Sequence, residues 1–404
     1  MTLPMKARLS AMMFLEYFIW GAWYVTMGTW LSKALKFADT QTALAYGTTA
    51  IGAIVSPFFV GLLADRSFAT QRVLAVLHLL GALLLFAGST QTSFGAFYAI
   101  VLGYSLCYMP TLSLTNSLAM RQMQDPRLEF GAIRVLGTLG WIIAGLVIGA
   151  LKVEATDLPM RLAAGCSLVM GLYCLTLPDT PPLARPAGEA ASGMFSAETR
   201  AIFRRRSVAI FAIASLLICI PLQFYYAFTN MFLNEVGVAN AAGKMTGGQM
   251  SELFFMLLIP WFFRRLGVKY MLAFGMAAWV LRYVLFAYGD PGPLVGMLWG
   301  GILLHGICYD FFFVTGQIYV DQQAPPALRA AAQGLITLIT YGVGMLIGSY
   351  LSGWVVEAYA RHGSGGAAGH DWQSIWLVAA GCAAVVLGAF LLAFNEKEAS
   401  RGAT

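Results

Sequence analysis

Six polar or charged side chains lie within long apolar stretches of this 404-residue chain: Glu16, Arg134, Gln223, Glu252, Arg282 and Asp310. A charged group at the centre of a bilayer costs roughly 2.5–3.5 kcal/mol on insertion scales. Such residues persist where they face a protein-lined cavity, pair with one another or carry out the protein's task. Both signs of charge occur, on segments that are far apart in the sequence. The pattern predicts a polar cavity inside a helix bundle.

Arg134 is followed by Thr138 and Trp141 at i+4 and i+7. On a helix these three side chains share one face. A cation, a hydroxyl and an aromatic platform together suit a flat base that bears a polar sugar. The alternative is an arginine that reaches the membrane interface from a helix end.

Gln223 and Tyr226 lie one helical turn apart and follow Pro221, a residue that weakens a helix. Such a weak point is expected where a helix bends around a cavity. An amide donates and accepts hydrogen bonds, so Gln223 matches a base edge or ribose hydroxyls. The alternative is an ordinary hydrogen bond between neighbouring helices.

Gln249 and Glu252 are spaced i, i+3 and share a helix face. Burial penalises the ionised form of a carboxyl group, so Glu252 is the first candidate for a proton carrier. The alternative is an ionised carboxylate held by Arg134, and the two interpretations can be two states of one cycle. The glycines at 247 and 248 leave open that this segment begins at the membrane surface.

Glu16 is followed by Trp20 and Trp23 at i+4 and i+7. An acid beside an aromatic face is compatible with binding a base, with handling a proton, or with a protonated structural role. His78 and Asn116 are interpreted as packing groups. An unperturbed histidine titrates near neutrality, so His305 is compatible with proton handling or with packing.

Composition places these residues in an integral membrane protein. The chain is 59% hydrophobic and 11% charged, with a mean hydropathy of +0.72, whereas soluble domains carry about 25% charged residues. Twelve stretches approach the ~20 residues that a bilayer requires. They are predicted near 9–32, 42–63, 71–89, 93–119, 131–151, 159–177, 207–234, 245–263, 269–288, 293–320, 327–356 and 373–394.

A proline- and arginine-rich break at 178–206 divides these spans into an N-terminal half, 1–177, and a C-terminal half, 207–404. With both termini inside, cytoplasmic segments carry 17 of the 25 Lys and Arg residues, and the opposite side carries six. This asymmetry predicts cytoplasmic termini. The net charge of +6 therefore reflects topology, and no nucleic-acid partner is expected.

Enzyme and metal functions find little support in the sequence. The six cysteines lie in apolar runs without metal-ligand spacing, and the chain has four histidines. HExxH, GxSxG and phosphate-binding loop motifs are absent from it. We expect neither an enzyme nor a bound metal or cofactor.

Two six-helix halves around a linker resemble the major facilitator superfamily, an all-α membrane fold with twelve transmembrane helices and a substrate site near the midplane between the halves. Gly61, Asp65 and Arg66, followed by Arg72, resemble its loop signature between spans two and three. The glycine permits close helix approach, and the acid can hold Arg72 in one conformational state as a gate. An ordinary polar turn is the alternative. The corresponding turn after Arg264 lacks the acid.

Within that superfamily the chain resembles the nucleoside:proton symporters, the family of the bacterial nucleoside permeases. The segments that carry the resemblance are 19–23, 108–116, 133–138, 281–291, 310–312, 329–334 and 371–373. It implies that Arg134, Thr138, Trp141 and Tyr309 belong to the substrate site. The other candidates for substrate binding, from residue type and spacing, are Gln223, Tyr226, Gln249, Glu252 and His305. The resemblance also implies that Asp310 is a second proton-linked group and that the helix of Arg282 is peripheral, which gives Arg282 a structural role.

The chain departs from this family at three positions. Relatives carry an amide where Glu16 and Tyr226 stand, and a tyrosine where His305 stands. The resemblance implies a monomer in the bacterial inner membrane that takes up a nucleoside with a proton by alternating access, with the lipid bilayer as its surroundings. The alternatives are a transporter of another small polar solute, such as a sugar or a nucleobase, and an uncoupled facilitator. Glu16 then joins Glu252 and Asp310 as a candidate for proton coupling.

Overall fold

The computed structural model describes residues 2–64, 68–181, 194–361 and 369–395, without the side chains of 59–64 and 126–128. The described chain forms two compact units. One comprises Met1–Pro186 with Ala239–Thr246, and the other comprises Ala187–Val238 with Gly247–Thr404.

Long helices make up the first unit. They are α1 (Leu3–Tyr24), α2 (Met27–Lys33), α3 (Asp39–Ala64), α4 (Thr70–Ser89), α5 (Phe94–Arg121), α6 (Pro126–Leu151) and α7 (Leu158–Cys174). The helix α1 packs against α6 and α7, while α5 packs against α3 and α4. The side chains at their contacts form the core of the unit.

The second unit contains longer and less regular helices. They are α8 (Ala197–Arg204), α9 (Arg206–Glu235), α10 (Ala241–Tyr288), α11 (Val295–Leu303), α12 (His305–Cys308), α13 (Thr315–Gln323), α14 (Arg329–Thr337), α15 (Met345–Ala358) and α16 (Trp372–Ala393). The start of α10, through Thr246, belongs to the first unit, and the rest of that helix belongs to the second. The strands β1 (Ala360–Arg361) and β2 (Gly369–His370) pair antiparallel. The helix α9 lies against α15 and α16.

The helices match the predicted spans in kind but differ in their limits. In the described ranges, eight helical stretches are long and apolar enough to cross a membrane, and α7 is a shorter apolar helix. The helix α1 begins at Leu3, six residues before the predicted span, because Pro4 occupies its first turn. The predicted spans 245–263 and 269–288 lie in one helical stretch that is interrupted at Gly267, where φ is 67° and ψ is 179°.

Two helical stretches of the second unit contain wider π-helical turns. One runs from Tyr309 to Val314, between α12 and α13, and the other from Leu338 to Gly344, between α14 and α15. Such turns interrupt the regular hydrogen-bond ladder and occur frequently at functional sites. They divide the predicted spans 293–320 and 327–356 into shorter helices.

Close packing between α3 and α5 depends on Gly52. A Cβ atom there would lie 2.6 Å from the carbonyl oxygen of Ser105 and 2.8 Å from Cγ of Met109. One turn earlier, the hydroxyls of Thr48 and Ser105 are 3.1 Å apart and join the same two helices. Small residues of this kind allow membrane helices to approach one another closely.

We therefore expect Gly52→Ala to destabilise the protein by about 1–3 kcal/mol, as overpacking does. Thermal unfolding of the purified protein in detergent measures the change. Gly165→Ala in α7 is the matched control, since a Cβ at 165 meets nothing within 4 Å. Equal melting curves for both variants would show that α3 and α5 accommodate the added methyl group without loss of stability.

Candidate functional site

The first unit presents Arg134, Thr138 and Trp141 on α6, and all three are half-buried. The guanidinium carbon of Arg134 lies 4.0 Å from the ring centre of Tyr17 on α1. Gly137 leaves room for this contact, since a Cβ there would lie 2.9 Å from Nη1 of Arg134. The arginine therefore makes a cation–π contact with a neighbouring helix.

An aromatic cluster adjoins this arginine. The Trp141 ring lies 5.4 Å from Trp20 and 6.4 Å from Tyr24, and Trp20 lies 5.9 Å from Tyr108. These pairs meet edge to face, an arrangement that aromatic rings prefer. Rings from α1, α5 and α6 together give the unit flat apolar surfaces beside a cation.

Glu16 is fully buried and held by groups from two other helices. The Thr111 hydroxyl donates to Oε1 of Glu16 over 2.6 Å, and Nε2 of His78 lies 3.0 Å from Oε2. On the far side of the ring, the Ser167 hydroxyl lies 3.5 Å from Nδ1 of His78. Both oxygens of this carboxyl group thus have partners, and the pair joins α1 to α4 and α5.

In the second unit, Gln223 and Tyr226 lie on α9. The Gln223 side chain is 1% exposed, and among the described residues its Oε1 has no hydrogen-bond donor. Tyr226 is half-buried. The carbonyl of Pro221 accepts a hydrogen bond of 2.6 Å from the Tyr283 hydroxyl, so an interhelical contact accompanies the proline. An amide oxygen that lacks a donor is available to a ligand.

Gln249 and Glu252 lie well inside α10, which begins at Ala241. Glu252 is therefore about three turns from the helix start, and the glycines at 247 and 248 do not mark a boundary. Gly248 lies close to α12: a Cβ atom at position 248 would be only 3.0 Å from Cβ of His305.

His305 lies between two groups of opposite charge. Its Nδ1 is 3.3 Å from Nη1 of Arg282, and its Nε2 is 3.8 Å from Oε2 of Glu252. The ring stacks on Tyr225 at 5.3 Å and on Tyr309 at 6.0 Å. The Arg282 side chain is 0% exposed and contacts His305, a residue of the candidate site. The peripheral position predicted for its helix, and its structural role, stay predictions.

Tyr309 and Asp310 occupy the start of the first π-helical turn. The hydroxyls of Tyr309 and Tyr341 are 2.9 Å apart, which links the two π-helical turns. Asp310 is 0% exposed, and neither carboxyl oxygen has a hydrogen-bond donor among the described residues. Glu252 acts electrostatically on Asp310. A second acid therefore lies close to the His305 cluster.

The proposed gate falls largely outside the described residues. Asp65 and Arg66 lie outside the described residues. Gly61 lies in the last turns of α3. Arg72 is exposed in the first turn of α4. The role predicted for these four residues stays a prediction.

Several partners of the predicted residues were not identified as site residues from the sequence: Tyr17, His78, Thr111, Arg282 and Tyr341. Arg282 and His78 carried a signal, since each is an ionisable group within an apolar span. Tyr17, Thr111 and Tyr341 carried none, because tyrosine and threonine are common in membrane helices. No group of three or more His, Cys, Asp or Glu side chains suited to a metal occurs in the described ranges.

Comparison with known proteins identifies the family. The family model described as "Nucleoside H+ symporter" matches residues 3–399. The chain is 42% identical to the putative nucleoside transporter YegT of Escherichia coli (strain K12), with 97% of this chain and 94% of that protein covered. It is 33% identical to the nucleoside permease NupG of the same organism, over 97% and 96% of the two chains.

Solved structures agree with the sequence relatives. A crystal structure of the nucleoside transporter NupG superposes with a TM-score of 0.88 over 97% of this chain and 99% of the other. An inward-facing bacterial homologue of the lysosomal transporter Spinster gives a TM-score of 0.78 at 14% identity, a likeness of fold alone. The chain is a transporter rather than an enzyme, and it belongs to the nucleoside H+ symporter family.

Proposed function

We propose that this protein takes up nucleosides together with protons across a bacterial inner membrane by alternating access. One observation carries the proposal beyond family membership. The second unit encloses two acids, Glu252 and Asp310, beside half-buried groups able to hydrogen-bond a polar solute. Relatives described as nucleoside transporters and as a xanthosine permease support the substrate class.

We further propose a major facilitator architecture of twelve transmembrane helices in two halves, 1–177 and 207–404, joined by a cytoplasmic linker at 178–206. Two compact units, and helical stretches of membrane-spanning length, support it. The excess of Lys and Arg in the linker and its neighbouring loops supports cytoplasmic termini. The transporter acts as a monomer in this proposal, and Gly61, Asp65, Arg66 and Arg72 form its gate.

Substrate binding is assigned to one group of residues in each unit. In the first unit, Arg134 and Thr138 donate hydrogen bonds, and Trp141 offers a ring face to the base. In the second, the groups that contact the substrate are Gln223, Tyr226, Gln249, Glu252, His305 and Tyr309. The unpartnered Oε1 of Gln223 supports this role most directly, because a buried amide oxygen without a donor is costly until a ligand supplies one.

Proton coupling is assigned to Glu252 and Asp310, with Glu16 in a lesser role. An ionised carboxylate without hydrogen-bond donors is costly in an apolar surrounding, and one proton removes that cost. Asp310 fits this description, whereas Glu16 has hydrogen-bond partners at both oxygens. Glu16 and His78 can share a proton. We assign this pair a secondary role in proton coupling, after Glu252 and Asp310.

The first test is uptake of radiolabelled uridine and adenosine into proteoliposomes, with and without an inward proton gradient. We expect the gradient to stimulate uptake, because the proton moves with the substrate. Unchanged uptake would indicate a facilitator, and uptake of neither compound would indicate a different solute. Competition by free ribose and free bases then separates sugar from nucleobase recognition.

A second prediction concerns Glu252→Gln. The amide cannot load or release a proton, so the gradient should no longer stimulate uptake, while exchange of internal for external nucleoside should persist. Glu357→Gln, at an exposed position of α15, is the control and should behave like the unmodified protein. Glu16→Gln should retain part of the stimulation. Full stimulation in Glu252→Gln would exclude that residue as the proton carrier.

A third prediction concerns Gln223→Ala, which removes the unpartnered amide. Loss of one hydrogen bond to the substrate is worth about 0.5–1.5 kcal/mol, so the Kd for the nucleoside should rise roughly 3–10-fold. Calorimetric titration of the detergent-solubilised protein measures this change. Gln317→Ala, at an exposed position of α13, should leave the Kd unchanged. An unaltered Kd in Gln223→Ala would assign this amide to packing.

A further inference from the structure

The guanidinium of Arg282 is a permanent cation enclosed by the second unit. Its carbon lies 3.4 Å from the ring centre of Tyr225 and 5.7 Å from that of Phe286, and the residue is 0% exposed. Nε and Nη2 have no hydrogen-bond acceptor among the described residues. Arginine keeps its proton in proteins, so this charge is present in every state of the transport cycle. Its Nη1 contacts Nδ1 of His305 at 3.3 Å.

This contact determines which nitrogen of His305 carries a proton. A guanidinium has only N–H donors and no acceptor, so the partner atom must offer a lone pair. Nδ1 of His305 is therefore unprotonated, and the proton of the neutral ring is on Nε2. An imidazolium would direct a second N–H at the guanidinium and place two cations 3.3 Å apart. Arg282 thus favours the neutral ring in a single tautomer.

The orientation of the ring fixes the direction of that Nε2–H group. His305 stacks on Tyr225 with an interplanar angle of 24° and on Tyr309 with an angle of 29°. On its other edge, Nε2 lies 3.8 Å from Oε2 of Glu252. This distance exceeds that of a hydrogen bond. A small movement of either side chain can bring the Nε2–H group into a hydrogen bond with Glu252, and without that movement the group can bind another acceptor.

We propose that Arg282 is a positioning residue that makes His305 an obligate hydrogen-bond donor, shared between the Glu252 carboxylate and an acceptor oxygen of the substrate. The proposal rests on the proposed function in two respects, the assignment of Glu252 as the proton carrier and of His305 as a group that contacts the substrate. When Glu252 is ionised it competes for the Nε2–H. When Glu252 is protonated it is a weaker acceptor, and the donor passes to the substrate.

This arrangement links the two transported species. Protonation of Glu252 frees the donor for the substrate, and by reciprocity the bound substrate favours protonation of Glu252. Symport requires this positive linkage. The titratable or charged groups that face His305 from the elements around it are Arg282 and Glu252 on α10, Tyr225 on α9 and Tyr309 beside α12. Asp310 follows Tyr309 and interacts with Glu252.

The assignment also constrains the substrate. A hydroxyl, such as that of a tyrosine, donates or accepts a hydrogen bond. His305 in its fixed tautomer only donates. The part of the solute that it contacts is therefore an acceptor, such as a base carbonyl, an unprotonated ring nitrogen or a sugar oxygen, and an N–H group there is disfavoured.

The tautomer is measured directly by nitrogen NMR of the protein labelled with ¹⁵N-histidine in lipid nanodiscs. The chain has four histidines, and the signal that disappears in His305→Gln identifies His305. We expect a neutral ring protonated at Nε2 across about pH 5–8, where an unperturbed histidine titrates. A His305 signal with the proton on Nδ1, or an imidazolium signal above pH 7, would overturn the proposal.

Variants of the cation test its positioning role. In Arg282→Gln the amide can donate or accept, so we expect a mixture of His305 tautomers and a ring that titrates within this pH range. Arg282→Lys retains a donor-only cation and should restore the Nε2–H form in part. Arg264→Gln, at an exposed position of the same helix, should leave the His305 signals unchanged. An unaltered spectrum in Arg282→Gln, with the fold retained, would show that Arg282 does not determine the tautomer of His305.

Substrate binding at different pH values tests the linkage. In the unmodified protein the Kd for the nucleoside should fall as pH falls. His305→Phe keeps a ring but has no donor, so its Kd should rise about 3–10-fold at low pH and vary less with pH. An unchanged pH dependence in His305→Phe would refute the shared donor. The NMR measurement requires no substrate, so a failure of nucleoside transport itself is distinguishable from a failure of this proposal.

Discussion

The cost of enclosing charge among apolar helices is the constraint on which both units depend. Among the described residues, neither the half-buried Arg134 nor the buried Arg282 forms an ion pair with an acid. Arg134 lies over the ring of Tyr17, and Arg282 lies over that of Tyr225. A ring face attracts a cation without adding a titratable anion. In the proposed coupling, an acid that is not permanently paired with an arginine can bind and release a proton.

The two units handle their acids in opposite ways. In the first, Glu16 has hydrogen-bond partners at both oxygens and joins three helices. In the second, Asp310 has no donor among the described residues, and Glu252 lies 3.8 Å from His305. A polar network whose hydrogen bonds are all made rigidifies the structure around it. A buried group that lacks a hydrogen-bond partner is stabilised when a proton or a ligand binds to it. The helices of the two units also differ in regularity, since both π-helical turns lie in the second unit.

Sequence reasoning located the helices and the polar residues within them, because hydropathy and helical spacing are local properties. It missed helix limits where the helix continues beyond the apolar stretch, as at Leu3 and Ala241. Spacing on one helix correctly grouped Arg134 with Thr138 and Trp141 on the half-buried part of α6. It did not give contacts between helices, such as those of Arg282 with His305 or Tyr309 with Tyr341. These depend on how helices rotate about their axes, which no local pattern encodes.

An imidazole and a phenol at position 305 respond differently to the same neighbours. A tyrosine at this position has a rotatable hydroxyl that adjusts to the protonation of a neighbouring acid. An imidazole has two nitrogens, and a neighbour that occupies one determines the other. The buried arginine occupies Nδ1 at 3.3 Å, so the ring loses its freedom to accept and keeps only its ability to donate. A conformational choice is thereby replaced by a competition between two acceptors, and competition for one donor is sufficient to couple the binding of a proton to the binding of a solute.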